Sequence, residues 1–415
     1  MVGRETSGRP DRVRGTDGKP GTALEVFRVF LVLGCTSFGG PAAHLGYFRN
    51  EFVERRGWLD ERRYGALVSL CQFIPGPASS QVGFAIGLAR AGWAGAFCAW
   101  LAFTLPSAAL LIALALGASV FDGVIGQGVL SGLRAVAVAV VAHAIWGMAR
   151  TLTPDVRRIL IAVGAALIAL FAPPLIGQPA AILAGGLAGL LLCRAVAPAA
   201  GERIGISVSR RAAITAVIAL AALLIALPVL AGMTENRWLA IVDACFRAGS
   251  LVFGGGHVVL PLLQGEPAII AAIGDQTLLT GYGAAQAVPG PLFTFAGYIG
   301  AAAAPGAAGI GLGLAALVAV FVPGMLILIA ALPVWERIER SVRLRSVIAG
   351  AGAAVVGILL AALIRPIIPE GASTVPGAVI AVLAFGALLL RRIPVWGIVL
   401  AAGAAGGMLG AAGWW

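Results

Sequence analysis

Two helix-breaking motifs interrupt long apolar segments of this chain, and each motif occurs twice. Phe38-Gly39-Gly40-Pro41 recurs as Phe253-Gly254-Gly255-Gly256, and Gln72-Phe73-Ile74-Pro75-Gly76-Pro77 recurs as Gln286-Ala287-Val288-Pro289-Gly290-Pro291. The spacing from Phe38 to Gln72 is 34 residues, and that from Phe253 to Gln286 is 33. Matched interruptions in two halves predict a duplicated fold with broken helices, which is typical of secondary transporters that bind substrate between their repeats.

The composition places the chain in a membrane. Hydrophobic residues make up 60% of the 415 residues and charged residues only 11%, whereas a soluble domain carries about a quarter charged residues. The apolar runs are long and do not alternate, which favours helices over a β-barrel. We therefore predict an all-α, polytopic membrane protein with two inverted homologous repeats, broken or re-entrant helices and about 9–13 membrane segments.

The breaks divide the chain into two equivalent parts. Of thirteen apolar stretches, the first, second, eighth and ninth carry the motifs, so the order is six stretches, one linker and six stretches. A fainter repeat matches Gly132 to Gly350. The predicted parts are a disordered basic cytoplasmic tail at 1–23, a first repeat at 24–205, a linking transmembrane helix at 206–236 and a second repeat at 237–415.

The charge distribution predicts the orientation. The net charge is +11, but the arginines lie in short loops between apolar runs, which is the positive-inside pattern and excludes a nucleic-acid partner. The loop at 47–63 carries five arginines, whereas the equivalent loop at 263–277 carries Glu266 and Asp275 and no basic residue. The two loops are therefore expected on opposite sides of a bacterial cytoplasmic membrane, with the N-terminus cytoplasmic. If the four broken stretches are re-entrant, the arginines are separated most clearly onto the cytoplasmic side of the membrane. Thirteen full spans are the alternative.

Several classes of chemistry are excluded by motif. The five cysteines are scattered singly and show neither metal-ligand nor disulfide spacing. The one lysine, Lys19, precedes Pro20 and cannot belong to a Walker A loop. Because no nucleophile–base arrangement stands out either, we expect no enzyme activity, no cofactor and no metal.

The breaks are the predicted substrate site. Pro41 and Pro77 suit the first position of a helix, and helix N-termini inside the membrane attract anions. Gln72 and Gln286 would add neutral amides, so converging breaks would form a cage for a small oxyanion. The alternative is that the breaks only relieve helix packing. The candidate substrate-binding residues at the breaks are Phe38, Gly39, Gly40, Pro41, Gln72, Pro75, Gly76, Pro77, Phe253, Gly254, Gly255, Gly256, Gln286, Pro289, Gly290 and Pro291.

Ionisable residues within apolar runs are further candidates, since charge in a bilayer is costly and faces a pathway or a partner. Arg134 joins the substrate-binding set, and Arg28 lies near enough to a helix end to reach the surface. Arg247 has Asp243 one turn before it, so a structural ion pair and a substrate contact are both open.

Histidines and loop carboxylates have competing interpretations. His44 and His257 follow the two glycine motifs and join the substrate-binding set, with a hydrogen-bonded structural role as the alternative. His143 lies on an uninterrupted span and is interpreted as structural. Glu51 and its equivalent Glu266 are interpreted as solvated loop charges.

Five segments resemble the chromate ion transporter family in its long, two-domain form: Ser37 to His44, Cys71 to Pro77, Phe103 to Ser107, Gly249 to Pro261 and Gly281 to Thr294. The resemblance covers roughly residues 25 to 400. One departure is the stretch from Ile269 to Gly274, which lacks a tryptophan equivalent to Trp58.

The resemblance implies export of chromate from the cytoplasm and chromate resistance, with sulfate as the structural analogue. A coupling ion such as a proton and a homodimeric assembly stay open. A carrier of sulfate or another oxyanion and a passive anion channel are the alternatives of the same build. An intramembrane chromate reductase would need a redox cofactor site, for which no motif is visible.

Overall fold

The computed structural model describes residues 21–193, 204–390 and 392–414, so the predicted tail lies outside it except for its last residues. Within these ranges every regular element is helical. The first copy contains α1 (Ala23–Thr36), α2 (Gly40–Arg49), α3 (Glu61–Phe73), α4 (Ala78–Leu116), α5 (Val124–Leu152), α6 (Val156–Phe171) and α7 (Pro174–Leu192). A linking helix, α8 (Arg210–Thr234), follows.

The second copy repeats this order with more interruptions. It contains α9 (Arg237–Leu251), α10 (Val259–Gln264), α11 (Pro267–Ala285), α12 (Phe295–Ala302), α13 (Gly306–Ala331), α14 (Trp335–Arg340), α15 (Val342–Ala362), α16 (Ile368–Gly371), α17 (Val375–Leu390) and α18 (Val395–Ala411). A π-helical segment, Asn50–Arg55, extends α2 in the first copy.

Polar residues fix where several helices begin. The Asp60 carboxylate accepts from the Arg63 N–H at 2.8 Å and starts α3, and the Asp155 carboxylate starts α6 in the same way at 3.0 Å. The Ser209 hydroxyl accepts from the Ala212 N–H at 3.2 Å and starts α8. Such caps satisfy backbone donors that a helix leaves unpaired. They lie between the apolar runs, so the loop sequences set the helix register.

Membrane-length helices are present, and the predicted all-α polytopic architecture is confirmed. Five helical stretches of the described chain are long and apolar enough to cross a bilayer: Ala78–Leu116, Val124–Leu152, Arg210–Thr234, Gly306–Ile338 and Val342–Gly371. The stretches Gly256–Gln264 and Pro267–Ala285 together would make a sixth, but they meet at 109°. Shorter apolar helices accompany them at Ile176–Leu192, Leu292–Ala302, Val375–Leu390 and Val395–Ala411.

The helices next to the breaks are too short to cross by themselves. α1, α2, α3 and α9 have 14, 10, 13 and 15 residues, whereas a straight span needs about 20. These lengths favour re-entrant breaks over the alternative of thirteen full spans. The motifs divide membrane-embedded segments into partial helices that end inside the protein.

Both copies contain a tight hairpin after the second break. α4 turns back at Ala91 and Gly92, whose φ/ψ values of −136°/16° and 72°/−158° are not helical. The turn brings Gly87 against the backbone of Gly95. In the second copy, α12 and α13 form the equivalent hairpin, with Gly300 against the backbone of Leu312. Small residues allow this close approach of helices.

The long helix of each copy packs on the terminal helices of the other copy. Gly132 of α5 lies against the backbone of Ala402 in α18, and Gly350 of α15 lies against the backbone of Gly185 in α7. Gly132 and Gly350 are the pair that the fainter sequence repeat matches. The exchange of partners is reciprocal, so each copy completes the core of the other.

We expect Gly132→Ala to lower stability by roughly 1–3 kcal/mol, because the added methyl meets the carbonyl of Ala402. Gly147→Ala is the matched control on α5, where a methyl meets no atom within 4 Å. The control should be neutral or more stable by up to about 1 kcal/mol, because alanine favours helix. Thermal unfolding of both purified variants in detergent measures the difference, and equal stability would contradict this packing.

Candidate functional site

The four breaks are joined in crossed pairs by backbone hydrogen bonds. The Gly76 N–H donates to the carbonyl of Val252 at 2.8 Å, and the Gly290 N–H donates to the carbonyl of Ser37 at 2.9 Å. Ser37 and Val252 are the residues just before the two Phe-Gly-Gly motifs. Each Pro-Gly-Pro break is therefore hydrogen-bonded to the Phe-Gly-Gly break of the other copy.

Glycine is required at the two donor positions. Gly76 and Gly290 have φ values of +126° and +101°, which disfavour any side chain. A Cβ on Gly76 would lie 2.8 Å from Cα of Gly324, and one on Gly290 would lie 2.8 Å from Oγ of Ser107. Gly324 and Ser107 follow the equivalent prolines of α13 and α4. In both copies, the glycine of the Pro-Gly-Pro break therefore packs against the residue that follows the equivalent proline of the other copy.

The helix starts are less symmetric than the motifs. α2 begins at Gly40, so Pro41 is its second residue and not its first. Pro77 is the N-cap of α4. Both prolines therefore miss the predicted first helical position by one residue. In the second copy, each of the equivalent helices follows one turn of 3-10 helix. Gly256–Val258 precedes α10, and Leu292–Thr294 precedes α12. The sequence repeat does not extend to the first helical turn.

A central cavity of about 130 Å³ lies at one of the two crossed pairs. Five of the predicted residues line it: Gly39, Gly40, His257, Gln286 and Gly290. The other lining residues are Val140, His143, Ala285, Val288, Leu292, Leu388 and Val395. The cavity thus combines the Phe-Gly-Gly break of the first copy with the Pro-Gly-Pro break of the second.

The polar groups of the cavity are amide and imidazole groups. His257 Nδ1 is hydrogen-bonded to the hydroxyl of Tyr282 at 2.7 Å. Nε2 of Gln286 is buried, and the Gln286 side chain lies against the hydroxyl of Tyr282. His143 approaches from α5, and none of the lining residues is Asp, Glu, Lys or Arg. Such a site offers hydrogen-bond donors to an anion without a carboxylate to repel it.

Several predicted residues support the breaks from outside the cavity. The Phe38 ring lies 5.8 Å from the ring of Trp396, and Pro41 packs on Gly256. The Pro75 carbonyl accepts from Nε2 of Gln81 at 2.9 Å, and Pro77 packs on Gly324.

The remaining glycines and prolines of the second copy lie beside the same junction. Gly254 faces Met148 and Leu152, and Gly255 is open, with no atom within 4 Å of a Cβ placed there. Phe253 is half-buried against the core. Pro289 and Pro291 flank Gly290, and the Pro291 carbonyl accepts from the Thr294 hydroxyl at 2.6 Å.

Three predicted residues lie apart from the cavity lining. His44 is buried against Phe103, with Nδ1 3.3 Å from the Ser79 hydroxyl. Gln72 is exposed, unlike its equivalent Gln286. Arg134 donates to the Ser131 hydroxyl at 2.7 Å and is not among the lining residues. Contact of these three with substrate stays a prediction.

Three residues at the junction were not predicted as site residues from the sequence: His143, Tyr282 and Gln81. Tyr282 is fully buried and holds His257, and Gln81 bridges the copies by donating to the Gly324 carbonyl at 2.8 Å. His143 could have been found, because an ionisable residue in the middle of an apolar span marks a functional position by default. Tyr282 and Gln81 carry no such signal.

A buried ion cluster ties α9 to the corner between α10 and α11. Arg247 donates to both carboxylate oxygens of Glu266, at 2.6 and 2.7 Å, and to Asp243 at 2.9 Å. Glu266 is only 8% exposed, so its interpretation as a solvated loop charge is wrong. Arg247 forms the structural ion pair, one of the two alternatives left open for it.

The first copy stabilises the equivalent corner differently. Trp58 stacks on Phe52 with ring centroids 4.9 Å apart, and the guanidinium of Arg90 lies 5.0 Å from the Trp58 ring. Glu51 pairs there with Arg56 and with the exposed Arg55. The second copy lacks this tryptophan, and its corner is held by the Arg247 cluster instead.

Comparison with known proteins identifies the relatives of the chain. The family profile described as chromate transporter matches residues 24–190 and 239–407. The chromate transport protein of Pseudomonas aeruginosa is 26% identical over 430 residues, covering 98% of both chains. That of Cupriavidus metallidurans is 26% identical and covers 92% of both. An uncharacterized transporter of Methanocaldococcus jannaschii is 27% identical, with 83% and 84% covered. No solved structure matches the chain.

We expect Arg247→Met to lower stability by roughly 3–5 kcal/mol, because it leaves two buried carboxylates uncompensated. Arg55→Met removes a surface partner of Glu51 and should cost less than about 1 kcal/mol, because the Arg55 side chain is 71% exposed. Denaturant unfolding of both variants in detergent checks the contrast. Similar losses of stability in the two variants would contradict the buried ion cluster of Arg247.

Proposed function

We propose that this chain, which belongs to the chromate transporter family, is a secondary transporter that exports chromate across the cytoplasmic membrane and confers chromate resistance. The oxyanion binds in the central cavity between the first Phe-Gly-Gly break and the second Pro-Gly-Pro break. The observation that carries this proposal is the cavity lining, which combines the Gln286 amide and two imidazoles with no acidic residue.

The cavity size supports a small tetrahedral ligand. A volume of about 130 Å³ is that of roughly four water molecules at about 30 Å³ each. A tetrahedral oxyanion has four oxygens around one central atom and occupies a similar space.

The donors around the cavity suit an anion. α2 begins at Gly40, and its first-turn N–H groups carry the partial positive charge of a helix N-terminus. Gln286 adds an amide N–H₂ from the opposite side of the cavity. A cation would instead need carboxylate or carbonyl oxygens, of which the lining side chains supply only the amide oxygen of Gln286.

The membrane potential supports the export direction. Moving one charge across 100 mV is worth about 2.3 kcal/mol, so a dianion leaving a negative interior gains about 4.6 kcal/mol. This corresponds to a gradient of about a thousandfold. Export of chromate therefore needs no nucleotide hydrolysis.

The relatives support chromate as the substrate. The Pseudomonas aeruginosa and Cupriavidus metallidurans proteins are named chromate transport proteins, and the match to both extends over nearly the whole chain. Sulfate is the second candidate, because amide and imidazole groups recognise a tetrahedral oxyanion by its oxygens and not by its central atom.

We expect Gln286→Leu to weaken chromate transport in everted membrane vesicles by roughly 10- to 100-fold in apparent affinity. The loss corresponds to about 1.5–3 kcal/mol for a hydrogen bond to a charged group. Gln127→Leu, at an exposed position of α5, is the control and should transport normally.

Wild-type affinity in Gln286→Leu would contradict the assigned site. Sulfate added as competitor separates the two substrates: if it displaces chromate at equal concentration, the chain is a general oxyanion carrier. If an imposed potential drives an anion conductance without counter-ion stoichiometry, the protein is a passive channel instead.

The inverted orientation is tested by labelling two repeat-equivalent, exposed positions in a cysteine-free background, Arg62→Cys and Gln276→Cys. An impermeant maleimide added to intact cells should label Gln276→Cys, and should label Arg62→Cys only after the membrane is opened. Labelling of both from the same side would contradict the inversion.

A further inference from the structure

We propose that His143 and His257 form a proton-binding pair in the central cavity, whose protonation supplies the charge that a divalent oxyanion needs there. This inference rests on the proposed function, since it concerns the same cavity. His143 comes from α5 of the first copy and His257 from the second copy, so the pair joins the two repeats across the proposed substrate site.

The cavity lacks any other group that can change its charge at neutral pH. Its lining consists of glycine, aliphatic residues, Gln286 and the two histidines. A dianion buried among neutral groups alone is costly, because a charge in a low-dielectric site needs a compensating charge. Histidine is the side chain whose charge changes near neutral pH. The two imidazoles are therefore the groups that can balance the substrate.

Tyr282 sets the orientation of His257. Its hydroxyl contacts Nδ1 at 2.7 Å, and Tyr282 is itself fully buried. With Nδ1 engaged, Nε2 is the ring nitrogen left for a proton or for substrate. A hydroxyl can accept from a protonated Nδ1 or donate to a neutral one. Tyr282 thus stays bonded to His257 in both protonation states, which a titrating residue at a packed site requires.

The charged groups on the surrounding elements have partners of their own. On α5, Arg134 lies beyond the cavity near Glu370, and Arg150 stacks 4.5 Å over Trp146. On α11, Asp275 accepts from Nε2 of Gln264 at 2.9 Å and lines a separate cavity. α2 contributes His44, which packs on Phe103, and its terminal Arg49, which pairs with Glu54 and Glu61. The described parts of α17 and α18 carry no titratable residue.

Proton and anion binding are consequently linked. If the pair takes up one proton when the anion binds, the apparent affinity depends on pH. It falls about tenfold per pH unit at pH values where the unliganded pair has already lost that proton. If the proton leaves the pair only together with the anion, the two move in the same direction. The imidazole gains and loses one proton and no other bond changes.

The test measures chromate binding to the purified full-length protein between about pH 6 and pH 8. At each pH, the total chromate is adjusted until its absorbance shows the same concentration of the dianion. Protonation of chromate itself then does not contribute to the pH dependence. We expect the wild-type affinity to fall about tenfold per pH unit. His257→Gln and His143→Gln should each flatten this dependence, and the double variant should abolish it.

Gln127→Leu is the matched control, because Gln127 lies on α5 with His143 but is exposed and does not line the cavity. It should keep the wild-type slope. Tyr282→Phe keeps the pair and removes only its hydroxyl partner, so it should shift the midpoint while the slope persists. This variant leaves the inference testable if His257→Gln fails to fold.

A double variant His143→Gln/His257→Gln with the wild-type slope overturns the inference. Wild-type binding that does not depend on pH overturns it as well and leaves the proposed function intact. If wild-type protein binds no chromate at any pH, the proposed function itself fails.

Discussion

The structure depends on one constraint, that a backbone polar group inside a membrane must find a partner within the protein. A break in a membrane-embedded helix exposes such groups, and this chain has four breaks. The hydrogen bonds from Gly76 to Val252 and from Gly290 to Ser37 show how the cost is met. Each Pro-Gly-Pro break donates a backbone N–H to a carbonyl beside the Phe-Gly-Gly break of the other copy. The substrate site proposed above is the space left at one crossed pair, where Gly290 of the second copy meets the Phe-Gly-Gly break of the first.

The two copies are equivalent in sequence and unequal in detail. Gln286 lines the central cavity, whereas Gln72 is exposed. His257 has Ala42 as its counterpart at the equivalent position, and His44 packs elsewhere. A duplicated scaffold supplies the crossed junction, and divergence of a few residues places imidazole and amide groups on one side of it. The chemistry of the cavity is therefore a property of one pair of breaks and not of the repeat.

Much of this architecture could be predicted from sequence because glycine and proline act locally. The breaks at Gly39 and Gly290 are visible as interruptions of apolar runs, and the matched spacing reveals the duplication. Which break meets which cannot be predicted in this way, because the crossed bonds join residues far apart in the chain. The burial of Glu266 was missed for the same reason: its partner Arg247 belongs to a different helix. His143 was interpreted as structural because its own helix is uninterrupted, whereas the cavity it lines is built mainly by other elements.

The exchange of partners between the copies has a consequence for biosynthesis. Ribosomes deliver the first copy to the membrane well before the second, so the N–H of Gly76 waits for a carbonyl that lies 176 residues further along the chain. Gly132 likewise waits for α18, the last helix to emerge. The first copy therefore cannot complete its own backbone hydrogen bonds and helix packing until the second copy has been inserted beside it.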